Sequence, residues 1–198
     1  MKVINHKSAL YVALGIVAAC FLSRWFLGEQ RWSFSYIIES VTTSVTVITF
    51  IYGLFRKWLW KMKIFRRWLV IIPNLNGRWK GALRSNWTIK ETNEKYYTED
   101  VEFSIKQSLT HISCVMKTHQ MKSSSMIAQI IIDEENQKYQ LVYSYQSEPN
   151  QNLQKESRIH FGTAKLDMND QYDVSELQGL YWTNRETDGM LHLERIQG

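Results

Sequence analysis

Apolar residues are distributed in two different ways on either side of Pro73. Before it they run in blocks, and after it they alternate with polar residues. Ala9 to Leu22 contains no charge, and apolar character resumes at Trp25-Phe26-Leu27 after Ser23 and Arg24. Counted over 9–27 this block can span a bilayer, whose core takes roughly 20 helical residues. Arg24 lies near its end, where a long side chain reaches the headgroups. A second block, 36–55, carries one charge, Glu39, and is interrupted by Thr42, Thr43, Ser44, Thr46 and Thr49. The alternative for both blocks is a buried soluble helix. Glu39, Thr42, Thr46, Thr49 and Gly53 recur at helical spacing, as do Gly15 and Ala19 on the first block. In lipid such faces drive helix association by close packing, either between protomers or within one chain. From Phe55 to Ile72 apolar residues again recur at helical spacing with basic residues between, which predicts an amphipathic junction over 56–73, ended by Pro73.

Beyond Pro73 the period is 2. Strands are predicted near 77–84, 99–107, 111–119, 124–132, 137–146, 157–166, 176–184 and 189–196, separated by turn-forming clusters such as Asp133-Glu134-Glu135-Asn136 and Thr187-Asp188-Gly189. Trp87–Lys90 adds a short strand or belongs to a loop. About eight antiparallel strands with one apolar face close most simply as an up-and-down barrel, which leaves no edge and has room for one small ligand. A sandwich is the other closure. The fold class is thus membrane-anchored all-β: a two-helix hairpin over 1–55, then a barrel over 74–198.

Charge divides the chain at the same place. Residues 1–72 hold 10 Lys and Arg against 2 acidic residues, and residues 73–198 hold 14 against 17, which together give the net +5. The basic excess therefore lies outside the barrel, which argues against DNA or RNA as a partner. Lys2 and Lys7 precede the first block, and Arg56, Lys57, Lys61, Lys63, Arg66 and Arg67 follow the second. The positive-inside rule then predicts a multi-pass protein of the inner membrane with both termini in the cytoplasm. Trp25, Trp32 and Tyr36 would mark the outer interface. Val17-Ala18-Ala19-Cys20 also has the look of a lipoprotein signal, which would make the barrel periplasmic. The second apolar block and its basic flank weigh against that.

Parity points Gly77, Trp79, Gly81 and Leu83 inward, with Arg78, Lys80 and Arg84 opposite. It groups Leu177, Gly179, Tyr181 and Thr183 against Leu180 and Trp182. Inward glycines beside Trp79 and Tyr181 make either a shelf for a flat ligand or a glycine-relieved aromatic core. G-x-S-x-G, Walker A and H-E-x-x-H patterns do not occur, so neither catalytic residues nor an enzyme is predicted. His111, Cys114 and His119 share a strand but not a face, and no metal or cofactor is expected. Cys20 and Cys114 fall in different compartments and cannot pair.

The segments Asn74-Leu75-Asn76-Gly77-Arg78-Trp79-Lys80-Gly81 and Gly179-Leu180-Tyr181-Trp182-Thr183-Asn184-Arg185-Glu186-Thr187-Asp188-Gly189, behind a basic-ended hairpin, resemble the two-transmembrane β-barrel effectors of CBASS, the bacterial cyclic-oligonucleotide anti-phage system. That resemblance implies a cytoplasmic barrel sensing a cyclic dinucleotide made by a partner nucleotidyltransferase (CD-NTase). It also implies homo-oligomerisation, membrane disruption and death of the infected cell. A cyclic dinucleotide presents two phosphates and two flat bases, which call for cations, hydroxyls and aromatic rings. The candidate ligand residues on that basis are Trp79, Arg84, Tyr143, Tyr145, Tyr181, Thr183 and Arg185. The Gly77-x-Trp79 start also resembles lipocalins, in which a late basic residue stacks on that Trp; the resemblance implies Arg195 for that part. The lipocalin alternative is a membrane-anchored carrier of a small apolar ligand.

Overall fold

The computed structural model describes residues 3–26, 34–89, 93–150 and 158–196. The chain divides between Ile71 and Ile72 into two compact units.

The first unit holds α1 (His6–Phe26) and α2 (Phe34–Lys57). With 21 and 24 residues they extend about 31 and 36 Å, and both are long and apolar enough to cross a membrane. α1 starts earlier than the apolar block because Asn5 caps it, its Oδ1 accepting from the Lys7 N–H at 3.1 Å. In α2 the hydroxyls of Thr42, Thr43, Ser44, Thr46 and Thr49 each donate to the carbonyl four residues earlier, at 2.7–2.9 Å. Those five polar side chains are thereby compatible with a lipid-facing helix. Tyr36, Ser40 and Ser44 are the buried positions along the first half of α2. The Tyr36 hydroxyl donates to the Phe21 carbonyl at 3.0 Å, and Arg24 pairs with Glu39 at 2.5 Å. Thr42, Thr46, Thr49 and Gly53 stay exposed, as do Gly15 and Ala19. Of the residues singled out by spacing, Glu39 meets α1 through Arg24, and the others stay off the contact between the two helices. Gly28, Glu29, Arg31 and Trp32 lie outside the described residues.

The helical spacing after Phe55 does not make a continuous helix. Two 3-10 turns, Leu59–Lys61 and Lys63–Phe65, follow α2, with Met62 and Arg66 extended and Arg67 at φ 75°. The recurring aromatics cluster locally instead: Phe65 meets Phe55 at 5.3 Å and Trp68 at 6.1 Å between ring centroids.

The second unit is a closed barrel of eight antiparallel strands in sequence order, β8 returning to β1. They are β1 (Gly77–Thr88), β2 (Lys95–Gln107), β3 (Ile112–Lys117), β4 (Met121–Asp133), β5 (Lys138–Pro149), β6 (His160–Met168), β7 (Glu176–Thr183) and β8 (Asp188–Arg195). Trp87 belongs to β1, and β5 runs past its predicted end to Pro149. His119 lies in the β3–β4 turn, and the described part of the sixth strand starts at His160. Inward parity on β1 and β7 is as predicted, with Trp79 and Leu177 fully buried and Leu180 and Trp182 outside.

Two irregularities reset that parity. In β2, Thr98 pairs with Leu83 but Val101 with Gly81, so β2 carries an extra residue there. Tyr96 and Thr98 consequently turn inward below the bulge, and Tyr97 outward. In β4, Met126 is the extra residue between Ser125 and Ile127.

One end of the barrel is plugged. Leu75, Leu109 and Val174 are buried there over Trp79. Gln107 accepts from the Leu75 N–H at 2.7 Å and donates to the Pro73 carbonyl at 2.9 Å. Arg195 donates to the carbonyls of Asn74 at 2.9 Å and Asn76 at 2.6 Å, with its guanidinium 5.2 Å from the Trp79 ring centre. Gly77 has φ 136°, a conformation that L side chains rarely adopt. The Asn74–Trp79 segment that carried the family resemblance is thus the barrel's stopper.

Candidate ligand-binding site

A cavity of about 310 Å³ occupies the opposite, open end. That is at the lower end of the range for small-ligand pockets, roughly 300–1,000 Å³. β1 and β2 supply one wall through Ser85, Trp87 and Tyr96, the two rings lying 5.9 Å apart. β5 and β7 supply Tyr145 and Tyr181. The β7–β8 turn brings Thr183, Arg185 and Thr187 to the rim, and β6 contributes His160. Deeper in, Ser123 donates to Ser147 at 2.9 Å. Met116 and Met121 add polarizable apolar surface. Among the described residues no carboxylate lines the cavity.

Of the seven residues nominated from sequence, Tyr145, Tyr181, Thr183 and Arg185 come together here. Trp79 lies at the plugged end under Arg195. Arg84 projects outside, its guanidinium 5.8 Å from the Tyr97 ring. Tyr143 lies beneath the cavity, its ring 5.7 Å from both Phe103 and Tyr145. It is fully packed, and its hydroxyl finds no hydrogen-bond partner among the described residues.

The glycines do not leave a vacant shelf. A Cβ on Gly81 would lie 1.8 Å from the His192 carbonyl oxygen, and one on Gly179 2.0 Å from that of Lys165. These positions let neighbouring backbones approach. Gly162 and Gly189 also admit a neighbouring backbone, and each in addition pairs across the ladder with a site tyrosine. A Cβ on Gly162 would come within 2.5 Å of the Tyr145 ring, and one on Gly189 within 2.7 Å of the Tyr181 ring. The two glycines are therefore seats for the two rings.

Burial raises the phenols of Tyr145, Tyr181 and Tyr96 above their ordinary value, so all three are neutral donors at physiological pH. Burial pushes the Cys114 thiol up to about 12, which leaves it inert. The imidazole of His160 is lowered from 6.5, first by burial and further by Arg185, against a stabilising contact to the Arg158 carbonyl. Thr183 and Thr187 share a hydroxyl contact at 2.7 Å, the Arg185 N–H reaches Thr183 Oγ1 at 3.2 Å, and the Arg185 guanidinium donates to the Arg158 carbonyl at 2.5 Å. That turn is thereby set with a cation at the rim.

Sequence reading missed Tyr96, because parity extrapolated from Val101 points it outward and the bulge lies between. It missed Trp87 because β1 runs past the predicted end. His160 and the inner serines had no motif to mark them.

A closed barrel plugged at one end and open at the other over an aromatic, hydroxyl-lined cavity with a cationic rim defines a small-ligand-binding barrel. More narrowly, the chain belongs to the Cap15 family: the family model described as "Cap15, cyclic dinucleotide receptor domain" matches residues 70–195. The chain is 28% identical over its whole length to CD-NTase-associated protein 15 of Staphylococcus schleiferi, covering 96% of that protein. It is 25% identical to the Escherichia albertii protein of the same name, over 86% of this chain and 84% of that one. It is 30% identical to that of Yersinia aleksiciae, over 74% and 66%. This is the family whose resemblance the two sequence segments carried.

Proposed function

We propose that this protein is a CBASS effector whose cytoplasmic barrel binds a cyclic dinucleotide, made by a partner CD-NTase, in the open-end cavity. The observation that carries the reading is the combination of aromatic rings, hydroxyls and Arg185 in one cavity, inside a domain of this family. Rings can stack on bases, and guanidinium and hydroxyl donors suit phosphodiester oxygens. An apolar carrier, the lipocalin-like alternative, has no use for that polar rim, although Arg195 over Trp79 is a feature it would share.

Binding becomes an effector output if bound and free barrels differ in their tendency to associate, since a ligand shifts an equilibrium only by its differential affinity. Association raises the local concentration of the helices. The uncovered faces of Gly15/Ala19 and Thr42/Thr46/Thr49/Gly53 then engage in the inner membrane, which they disrupt, killing the infected cell. Both termini are cytoplasmic in this reading.

The test uses the full chain in detergent and in vesicles, titrated with a panel of cyclic dinucleotides and with a fatty acid. Binding of a cyclic dinucleotide, growth in particle size and vesicle leakage are expected together. Preference for the fatty acid supports the carrier, and tight binding without assembly or leakage refutes the effector mechanism. Reporters fused after Gly198 and near Gly28 should read cytoplasmic and periplasmic.

A further inference from the structure

Arg185 is a permanent cation at the rim, while His160 is the only described lining residue that changes charge near neutrality. Resting on the cyclic-dinucleotide reading, we infer that His160 is a second phosphate contact, and that ligand binding is coupled to uptake of a proton by its ring.

The geometry around that ring carries the inference. His160 opens β6 and pairs with Ser147 of β5, whose hydroxyl is held by Ser123 of β4. The charged group that acts on it is Arg185 of the β7–β8 turn, while Arg158, upstream on its own segment, presents its backbone carbonyl to Nδ1 at 3.4 Å. Tyr145 and Tyr181 face the same space as neutral phenols. Glu148, beside Ser147 on β5, is exposed and accepts from Gln146 Nε2 at 2.9 Å. Among the described residues no carboxylate favours the imidazolium, while burial and Arg185 oppose it. The ring is neutral at pH 7 when the site is empty. A phosphodiester, anionic throughout this range, supplies the missing counter-charge. An opposite charge within about 4–6 Å moves an ionisable group by roughly one to three units.

The sign follows from linkage. Bound ligand raises the affinity of His160 for its proton, so the proton raises the affinity for ligand to the same degree. Affinity climbs as pH falls from the bound-state titration toward the free-state one, which lies below 6.5.

The test is calorimetry of the full chain in detergent, with cyclic di-AMP, cyclic di-GMP and cyclic GMP–AMP as probes, from pH 8 to pH 5.5. Buffers of different ionisation enthalpy report the protons taken up. The expected result is a gain of about tenfold or more toward the acid end, with net proton uptake near neutrality. His160→Gln should abolish both the slope and the uptake, so that its loss of affinity relative to the wild type grows as pH falls. His160→Arg should bind tightly at every pH. Arg185→Gln should weaken binding throughout and keep the slope.

A wild-type slope of zero, or a slope surviving in His160→Gln, overturns the inference and leaves the receptor reading standing. Absence of binding by any probe at any pH overturns both. If the variants do not fold, histidine NMR of the wild-type chain decides. One of its five histidines must titrate at higher pH with ligand bound, and none doing so overturns the inference.

Discussion

Arg84 and Arg185 show what a side chain's placement adds to its chemistry. Both are arginines near the open end, but Arg84 lies over the outer face of Tyr97 while Arg185 lines the cavity. A charge-assisted hydrogen bond contributes about 1.5–3 kcal/mol. Arg185→Gln is therefore expected to weaken cyclic-dinucleotide binding at least tenfold, and Arg84→Gln to leave it within about twofold, read by titration of the full chain. Equal losses in the two variants would remove the cavity from consideration. The period-2 pattern made Tyr145, Tyr181 and Thr183 legible, because β5 and β7 run without interruption in this region. Tyr96 was not legible, since an extra residue in β2 reverses its side and nothing in the composition of Glu99-Asp100 announces it.

At the scale of elements, apolar block length predicted both helices and alternation predicted all eight strands. Local spacing did not tell a helix from the 3-10 turns after α2, because a ring cluster such as Phe55, Phe65 and Trp68 fits either geometry. α2 also separates two jobs by face. Tyr36, Ser40 and Ser44 are buried in the chain's own helical unit, whereas Thr46 and Gly53 are exposed. Thr46→Leu and Gly53→Leu are expected to leave ligand affinity unchanged and to reduce ligand-triggered leakage from vesicles severalfold. Unchanged leakage in both would exclude this face from assembly.

The whole barrel is tuned against alkali. Tyr143, Tyr145 and Tyr181 have phenols raised above 10.0, and Cys114 a thiol raised from 9.0 to about 12, each chiefly by burial. Groups whose folded-state values are raised contribute stability below their unfolded values and lose it as pH rises toward the folded ones. The native barrel holds protons that the unfolded chain releases, so stability should fall from about pH 9 upward. The slope is roughly 1.4 kcal/mol per pH unit for each group so affected. Denaturant unfolding at pH 8 to 11 measures it. Cys114→Ala should flatten the curve between pH 9 and 10 (its own packing cost is constant across the series), and an unchanged slope there would contradict the assignment.

The stopper segment has a mechanical consequence. The chain from the helical unit enters the barrel through Asn74–Asn76, and β1 begins at once, bonded on one side to β2 and on the other to β8. Tension along that tether pulls β1 lengthwise, so its two ladders carry load in shear, many bonds at a time, instead of being peeled one by one. Arg195 adds a cross-tie from the end of β8 to the carbonyls of Asn74 and Asn76. The cavity rim lies at the far end of the same strand. Load arriving along the chain from the helical unit is thus borne first by the stopper and seam, and the cavity end is the last part of the barrel to feel the pull.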